Sequence, residues 1–275
     1  MIRRFYYMLP PSFRLLVRRA VFLPVDLYNG ISGKKENLVP PRGMIYTGSG
    51  DYVKTGNLFL KFFIEHCNLM PNHRVLDIGS GIGRIARPLT SYLLPDGSYE
   101  GFDLVDSGVS WCKKNISKQF PNFNFQKVNL YNDLYTSKGE KAEKFVFPYN
   151  DEEFDLVFLV SVFTHMLPDE VDNYMKEIHR VLKKGGKCLA TFFVINDDSL
   201  SLSKGNKFRF DKCFGNYYLM DEKVQSANVA FKEDFIVDKL IADNSLSLNK
   251  IIYGYWASGN VSDKISFQDV VIIEK

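Results

Sequence analysis

The run Arg74-Val75-Leu76-Asp77-Ile78-Gly79-Ser80-Gly81-Ile82-Gly83-Arg84 constrains the fold of this chain more than any other segment. Its first half is apolar apart from Arg74 and Asp77 and is short enough for one strand. Its second half holds three alternating glycines. Residues 84–94 follow with the spacing of an amphipathic helix. Strand, glycine turn and helix in that order build the crevice of a nucleotide-binding α/β unit. Glycine carries no Cβ and tolerates positive φ, so the backbone there can come close to a ligand. The pattern is D-x-G-x-G-x-G. A dinucleotide fingerprint, G-x-G-x-x-G, would place the third glycine one residue later. The spacing therefore counts against a seat for a pyrophosphate.

The strands and helices beyond the glycines come in an order that strengthens the case for this unit. A second strand, residues 99–104, carries Asp103 near its end, twenty residues after Gly83. A carboxylate at that position accepts hydrogen bonds from ribose hydroxyls. A loop acid or a helix cap is the plainer alternative, although Asp106 and Ser107 are better placed to cap the next helix, residues 109–120. A third strand, residues 123–128, leads to Asn129-Leu130. The fourth, residues 154–160, is apolar almost throughout, as a strand buried on both faces of a parallel sheet must be. It runs into Ser161-Val162-Phe163-Thr164-His165-Met166. A helix over residues 170–182 closes on Lys183-Lys184-Gly185-Gly186, with basic residues and a glycine stop at its end. Residues 187–195, 250–256 and 266–273 complete seven strands.

Motif and order together resemble the class I S-adenosylmethionine (SAM)-dependent methyltransferases, bacterial ones in particular, over residues 44–275. The resemblance implies an α/β fold: a Rossmann-like, seven-stranded, mostly parallel sheet in the order 3-2-1-4-5-7-6, with the last strand antiparallel and helices on both faces. It implies SAM as cofactor, S-adenosylhomocysteine as product, and methyl transfer to an oxygen or nitrogen of a small-molecule, lipid or glycan-precursor acceptor. The cofactor contacts it implies fall on Tyr46, Asp77, Gly79, Ser80, Gly81, Gly83, Arg84, Asp103, Leu104, Asn129, Leu130, Val160 and Ser161. Where this chain has Asn129 the family often has an acid. An amide oxygen can accept the same bond, and an ordinary turn asparagine fits the position equally well.

A hydroxyl acceptor needs a base, and His165 is the candidate. It falls just past the fourth strand, at the sheet edge where ligands bind in such folds. The ordinary histidine pKa, about 6.5, suits proton transfer. A histidine that caps a helix, or bonds Asp77 or a backbone group, is the competing reading. No Asn/Asp-Pro-Pro-aromatic motif or Pro-Cys nucleophile stands after the fourth strand, and no paired glutamates are visible, which sets aside several macromolecule-modifying subclasses. Two other functions stay open: an NAD-type oxidoreductase, and a non-catalytic SAM-binding protein that docks on a membrane.

Cys67, Cys112, Cys188 and Cys213 form no C-x-x-C pair, and the four histidines none at i,i+4, so no metal site is expected. Buried, reduced thiols in a cytoplasmic protein are the plain expectation. Residues 1–43 form a basic arm. Within residues 1–35, Arg3, Arg4, Arg14, Arg18, Arg19, Lys34 and Lys35 stand against Asp26 alone, a net +6 in a chain whose total is +3. Phe13, Leu16, Val17 and Ala20 share one helical face, and Arg14 and Arg18 another. Such a helix either packs its apolar face on the domain or a second subunit, or lies on an anionic membrane surface. Nucleic acid is not expected, since the cluster is short and the remainder of the chain is net acidic. The glycine-rich loop 44–56 is expected to line the amino-acid end of the cofactor with Tyr46, Gly48 or Asp51, or only to lead into a helix at 57–67. Residues 197–230 hold Lys204, Lys207, Arg209 and Lys212 among Phe208, Phe210, Phe214, Tyr217 and Tyr218, and read as a lid over the acceptor.

Overall fold

The computed structural model describes residues 11–32, 36–48, 50–132, 139–206, 208–222, 224–260 and 266–275. Arg3, Arg4, Lys34 and Lys35 of the basic arm, Ser49 of the glycine-rich loop and Lys207 of the lid lie outside the described residues.

Helix α1 spans Pro11–Ile31 and α2 spans Tyr52–Cys67. The start of α2 is set by Asp51, whose carboxylate accepts the Lys54 N–H at 2.8 Å as an N-cap. Its end is set by Asn68 in the left-handed region. Strand β1 (Arg74–Ile78) comes next, then the short helix α3 (Ala86–Leu89), β2 (Ser98–Asp103), helix α4 (Asp106–Cys112), β3 (Phe123–Lys127) and β4 (Phe154–Leu159). Helix α5 (Pro168–Val181) opens on a proline and two acids and ends on His179 and Arg180, matching the helix dipole at both ends. Strand β5 (Leu182–Phe192) leads to β6 (Val194–Ile195), helix α6 (Asp197–Ser203), β7 (Lys212–Phe214), β8 (Tyr217–Leu219), β9 (Val229–Lys232), β10 (Ser247–Ile252) and β11 (Asp269–Glu274).

The main sheet has the order β10-β11-β5-β4-β1-β2-β3. With its two last strands counted as the sixth and seventh, this is the expected order 3-2-1-4-5-7-6. Strands β1 and β4 pair in parallel with Asp77 opposite Phe158, and β4 pairs in parallel with β5. Strand β11 runs antiparallel to both β5 and β10, as expected.

By contact density the chain groups into two units. One holds α1, α2, the glycine loop with α3, and β2, α4 and β3. It is packed by Phe59, Phe63, Leu89, Tyr99, Ile116 and Phe123, all nearly or fully buried. The other holds β1, β4, β5 and everything after them, around Leu76, Phe158, Ile178, Leu189 and Ile272.

Four expectations are corrected. The helix expected at 84–94 shrinks to α3, because Pro88 has no N–H to donate and the Thr90 hydroxyl takes the Arg87 carbonyl at 2.7 Å. Asp106 does not cap α4. It is the first residue inside the helix, and Val105 holds the cap position. Cys213 is exposed, while Cys67, Cys112 and Cys188 are buried and outside any disulfide, as expected. The segment 197–230 is no bare loop. With β6 it supplies a second sheet, β6-β9-β8-β7, in which β7-β8 is a hairpin. The turn at Gly215 (φ 73°) closes that hairpin. Short strands of three residues, too brief for a periodic pattern, hid this sheet from the sequence.

Candidate functional site

The first unit gathers the loop 79–83 against the end of β2. The Gly79 and Ser80 N–H groups both donate to the Phe102 carbonyl, at 2.9 and 3.0 Å. The loop then turns with Gly81 at φ 58° and Gly83 at φ 78°. Neither position has room for a side chain. A Cβ on Gly81 would meet Thr47 Cγ2 at 2.7 Å, and one on Gly83 would meet Ile116 Cδ1 at 2.8 Å. The sequence motif is thus required by both backbone conformation and packing.

Asp103 sits at the centre of this arrangement. Its Oδ2 accepts the Gly81 N–H at 2.8 Å and its Oδ1 the Val105 N–H at 2.7 Å. Burial pushes the carboxyl above the usual carboxylate range. The N–H groups of Val105, Gly81 and Leu104 and the Tyr46 hydroxyl pull it back in part. Leu104 thereby contributes its backbone to the site. Tyr46, expected over the amino-acid end of a ligand, has its hydroxyl at the Asp103 carboxyl and against Gly108. Asn129 is exposed two residues beyond β3, where the Val128 N–H bonds the Asp103 carbonyl at 3.0 Å and ties this segment to the same strand end.

Arg84 reaches back over the loop. Its Nη2 donates to Thr47 Oγ1 at 2.9 Å, and Gly48 lies beside Nη1. Burial pulls the guanidinium below its ordinary value, with Tyr52 and Asp51 opposing. Among the described residues no carboxylate stands within ion-pair distance of it. The Tyr52 hydroxyl donates to the Ile82 carbonyl at 2.9 Å, and burial pushes this phenol up so that it stays protonated. Gly56 of α2 lies against the Arg84 carbonyl, the oxygen that Pro88 cannot serve. Asp51 caps α2, and its carboxylate is turned to that task. Ser80 Oγ is buried and has no hydrogen-bond partner. An orphaned hydroxyl, a carboxylate desolvated at a strand end and a half-buried cation without a counter-ion are the features of a polar ligand's seat.

In the second unit, Asp77 is buried on β1. Leu130 is buried and bridges Glu140. Val160 leaves β4 half-buried, and Ser161 comes next with φ 61°, a left-handed backbone on a non-glycine residue. That conformation is held by its neighbours. The Ser161 N–H donates to Thr191 Oγ1 at 2.7 Å, and the hydroxyls of Ser161 and Thr191 both donate to Gln268 Oε1 at 2.8 Å. His165 is half-buried, with Nδ1 2.8 Å from the Ser226 carbonyl. A carbonyl only accepts, so Nδ1 carries the hydrogen and the ring lone pair is on Nε2 in the neutral form. This is the backbone bond foreseen as the structural alternative to a base, and it fixes the tautomer a base would need.

Sequence reasoning missed Thr47, Gly108, Thr191 and Gln268. Gly108 was legible in principle, as a glycine five residues past Asp103. A Cβ there would collide with the Tyr46 hydroxyl and the Gly81 carbonyl. The other three are common polar residues with no motif around them. Among the described residues no cluster of His, Cys, Asp and Glu could hold a metal ion.

Residues 76–190 match the family model described as a methyltransferase domain. The mouse arsenite methyltransferase is 26% identical over 59% of this chain and 42% of its own length. A demethylmenaquinone methyltransferase from Lactobacillus johnsonii is 28% identical over 48% of this chain and 49% of its own. The match therefore spans less than half the length of each of these two relatives. A crystal structure of a SAM-dependent methyltransferase from Clostridium acetobutylicum superposes with a TM-score of 0.53 at 14% identity, covering 90% of this chain and 98% of that one. At that identity the likeness is one of fold.

Proposed function

We propose that this chain, whose residues 76–190 match a methyltransferase domain, is a class I SAM-dependent methyltransferase that methylates an oxygen or nitrogen atom of a small-molecule, lipid or glycan-precursor acceptor. The observation that supports this reading is the cradle of Gly81, Asp103, Ser80 and Arg84, which offers a carboxylate, a buried hydroxyl and a cation to a polar ligand.

In this reading Asp103 receives the ribose hydroxyls. A carboxylate has about four lone-pair sites, and the Tyr46 hydroxyl occupies one that a ribose hydroxyl can take over. Ser80 Oγ gains its missing partner. Arg84 holds the amino-acid carboxylate, which supplies the counter-ion it lacks. Asn129 stands on the adenine side. When bound, SAM supplies a methyl group on a sulfonium, already activated for in-line displacement. The protein aligns the acceptor's lone pair at about 3–3.5 Å and excludes water. A neutral amine needs nothing more. A hydroxyl gives its proton to Nε2 of His165, whose ring the Ser226 carbonyl keeps in the required tautomer.

Isothermal titration with SAM, S-adenosylhomocysteine and NAD tests the first step. Binding of the two sulfur nucleosides, weakened in Asp103→Ala, supports the reading. Binding of NAD alone sinks it. A labelled-methyl screen over amines, phenols, isoprenoid lipids and sugar nucleotides then assigns the acceptor.

A further inference from the structure

Helix α1 lies the wrong way round for a soluble arm. Its polar side faces inward. Asp26 accepts the backbone N–H groups of Arg42 and Gly43, at 2.6 and 3.0 Å. Phe22 carries two cations on its ring, the Arg18 and Arg42 guanidiniums at 5.0 and 5.4 Å from its centre. Arg14 is 8% exposed. At Gly43 the backbone comes so close to the helix that a Cβ would touch Arg19 Cα at 3.0 Å.

The opposite side is open and apolar. At a helical step of about 100° per residue, Phe13, Leu16, Val21, Leu27, Tyr28 and Ile31 fall within one continuous arc. Their exposures run from 49% at Phe13 to 89% at Ile31. The described residues of this arc include no charge; Arg19 stands at its edge, exposed. Soluble monomers rarely leave so large an apolar face uncovered. The expectation that the arm packs this face on its own domain is not met.

We propose that α1 docks the protein on an anionic lipid surface, with this apolar face in the boundary between headgroups and acyl chains. Charge selects that occupant over a second copy of the chain. Residues 1–35 carry net +6, so two copies placed face to face would repel, whereas an acidic bilayer attracts the same segment. Arg3 and Arg4 precede the helix in sequence and Lys34 and Lys35 come after it, so basic residues bracket the apolar arc. Among the described residues no helix is long and apolar enough to cross a membrane. The contact proposed is in the plane of the interface. It rests on the arm alone and is independent of the acceptor's identity.

The test is co-sedimentation of the full chain with phosphatidylglycerol/phosphatidylcholine vesicles and with phosphatidylcholine vesicles, at low and high salt. Wild type is compared with Leu16→Glu/Leu27→Glu and with Arg19→Glu. Circular dichroism and cofactor affinity serve as controls that each variant is folded. The expected result is salt-sensitive binding to the acidic vesicles, about tenfold or more weaker in the double variant, reduced in Arg19→Glu, with cofactor affinity unchanged. Equal binding by wild type and double variant would overturn the proposal. So would absence of vesicle binding, whether the chain then sediments as a monomer or as a dimer that the double variant dissociates.

Discussion

The backbone N–H of Gly81 and the carboxylate of Asp103 are joined by a 2.8 Å hydrogen bond across twenty-two residues of sequence. One bond couples the glycine turn to the acid at the end of the neighbouring strand, so the two halves of the motif are one object. Asp103→Ala removes the acceptor from Gly81 and Val105 and, in the function proposed, from the ribose as well. Hydrogen bonds to a charged group contribute about 1.5–3 kcal/mol each, so cofactor affinity is expected to fall by about tenfold to a hundredfold or more. Titration calorimetry reads this directly. Unchanged affinity would remove Asp103 from the site.

The same carboxyl sets a pH dependence. Burial holds its pKa above the ordinary value of 3.8. The native state therefore keeps its proton at pH values where the unfolded chain has released it. By linkage, this group makes the ligand-free protein less stable as pH rises from the ordinary value through the folded one. Cofactor binding as proposed needs the ionised form and runs the other way: affinity is expected to fall as pH drops through the folded pKa. Tyr46→Phe deletes a hydrogen bond to the charged form, so the pH at which affinity is lost moves up. Affinity measured against pH for wild type and Tyr46→Phe checks the sign, and a downward shift would contradict the assignment.

Two glycines separate conformational strain from crowding. Gly185 has φ 75° with nothing within 4 Å of a hypothetical Cβ, and Gly81 has φ 58° with Thr47 at 2.7 Å. Gly185→Ala is expected to cost about 1 kcal/mol from the left-handed backbone alone. Gly81→Ala adds overpacking, for about 2–4 kcal/mol in all, and weakens cofactor binding. Thermal melts of the two variants should therefore differ, and equal shifts would show that Thr47 yields without cost.

How much of this was legible in advance depends on how local the signal is. The order of the main sheet came from the family pattern, and β4 from a run of apolar residues that only a doubly covered strand tolerates. Asp103 was legible by its spacing from the glycines, and its carboxylate does meet the glycine turn at Gly81. Gln268 was not, because its partners Ser161 and Thr191 lie 107 and 77 residues away and only the packing of β4, β5 and β11 brings them together. The orientation of α1 was illegible for a different reason. Periodicity identifies an apolar face but says nothing of which side Asp26 will anchor.

Asp269 holds a buried node that reports on the second sheet. It is 1% exposed and accepts the N–H groups of Val194 and Gly254 and the indole N–H of Trp256, each at 2.7 Å. Those bonds seat Trp256 against Phe193 and Phe210. Asp269→Ala orphans three donors at once and is expected to destabilise by about 3–5 kcal/mol. Of the two tryptophans in the chain, Trp256 is the one affected. A shift in tryptophan emission with a lowered melting temperature is the expected signature. A variant with wild-type stability would show that solvent can replace the carboxylate there.

His165 is the sharpest test of chemistry against architecture. Its Nδ1 hydrogen bond to the Ser226 carbonyl spans 61 residues and links the edge of β4 to the segment before β9. Alanine removes that bond and the ring together and cannot tell the roles apart. Asparagine can: its amide nitrogen takes the place of Nδ1 and keeps the donor, while nothing replaces Nε2. If His165 is a base, His165→Asn should retain the melting temperature and cofactor affinity of wild type. Its kcat should fall about a hundredfold or more, and the acidic limb of the kcat profile should vanish. If the ring only joins two segments, asparagine should restore whatever alanine loses, and S-adenosylhomocysteine release with the identified acceptor should match wild type at every pH.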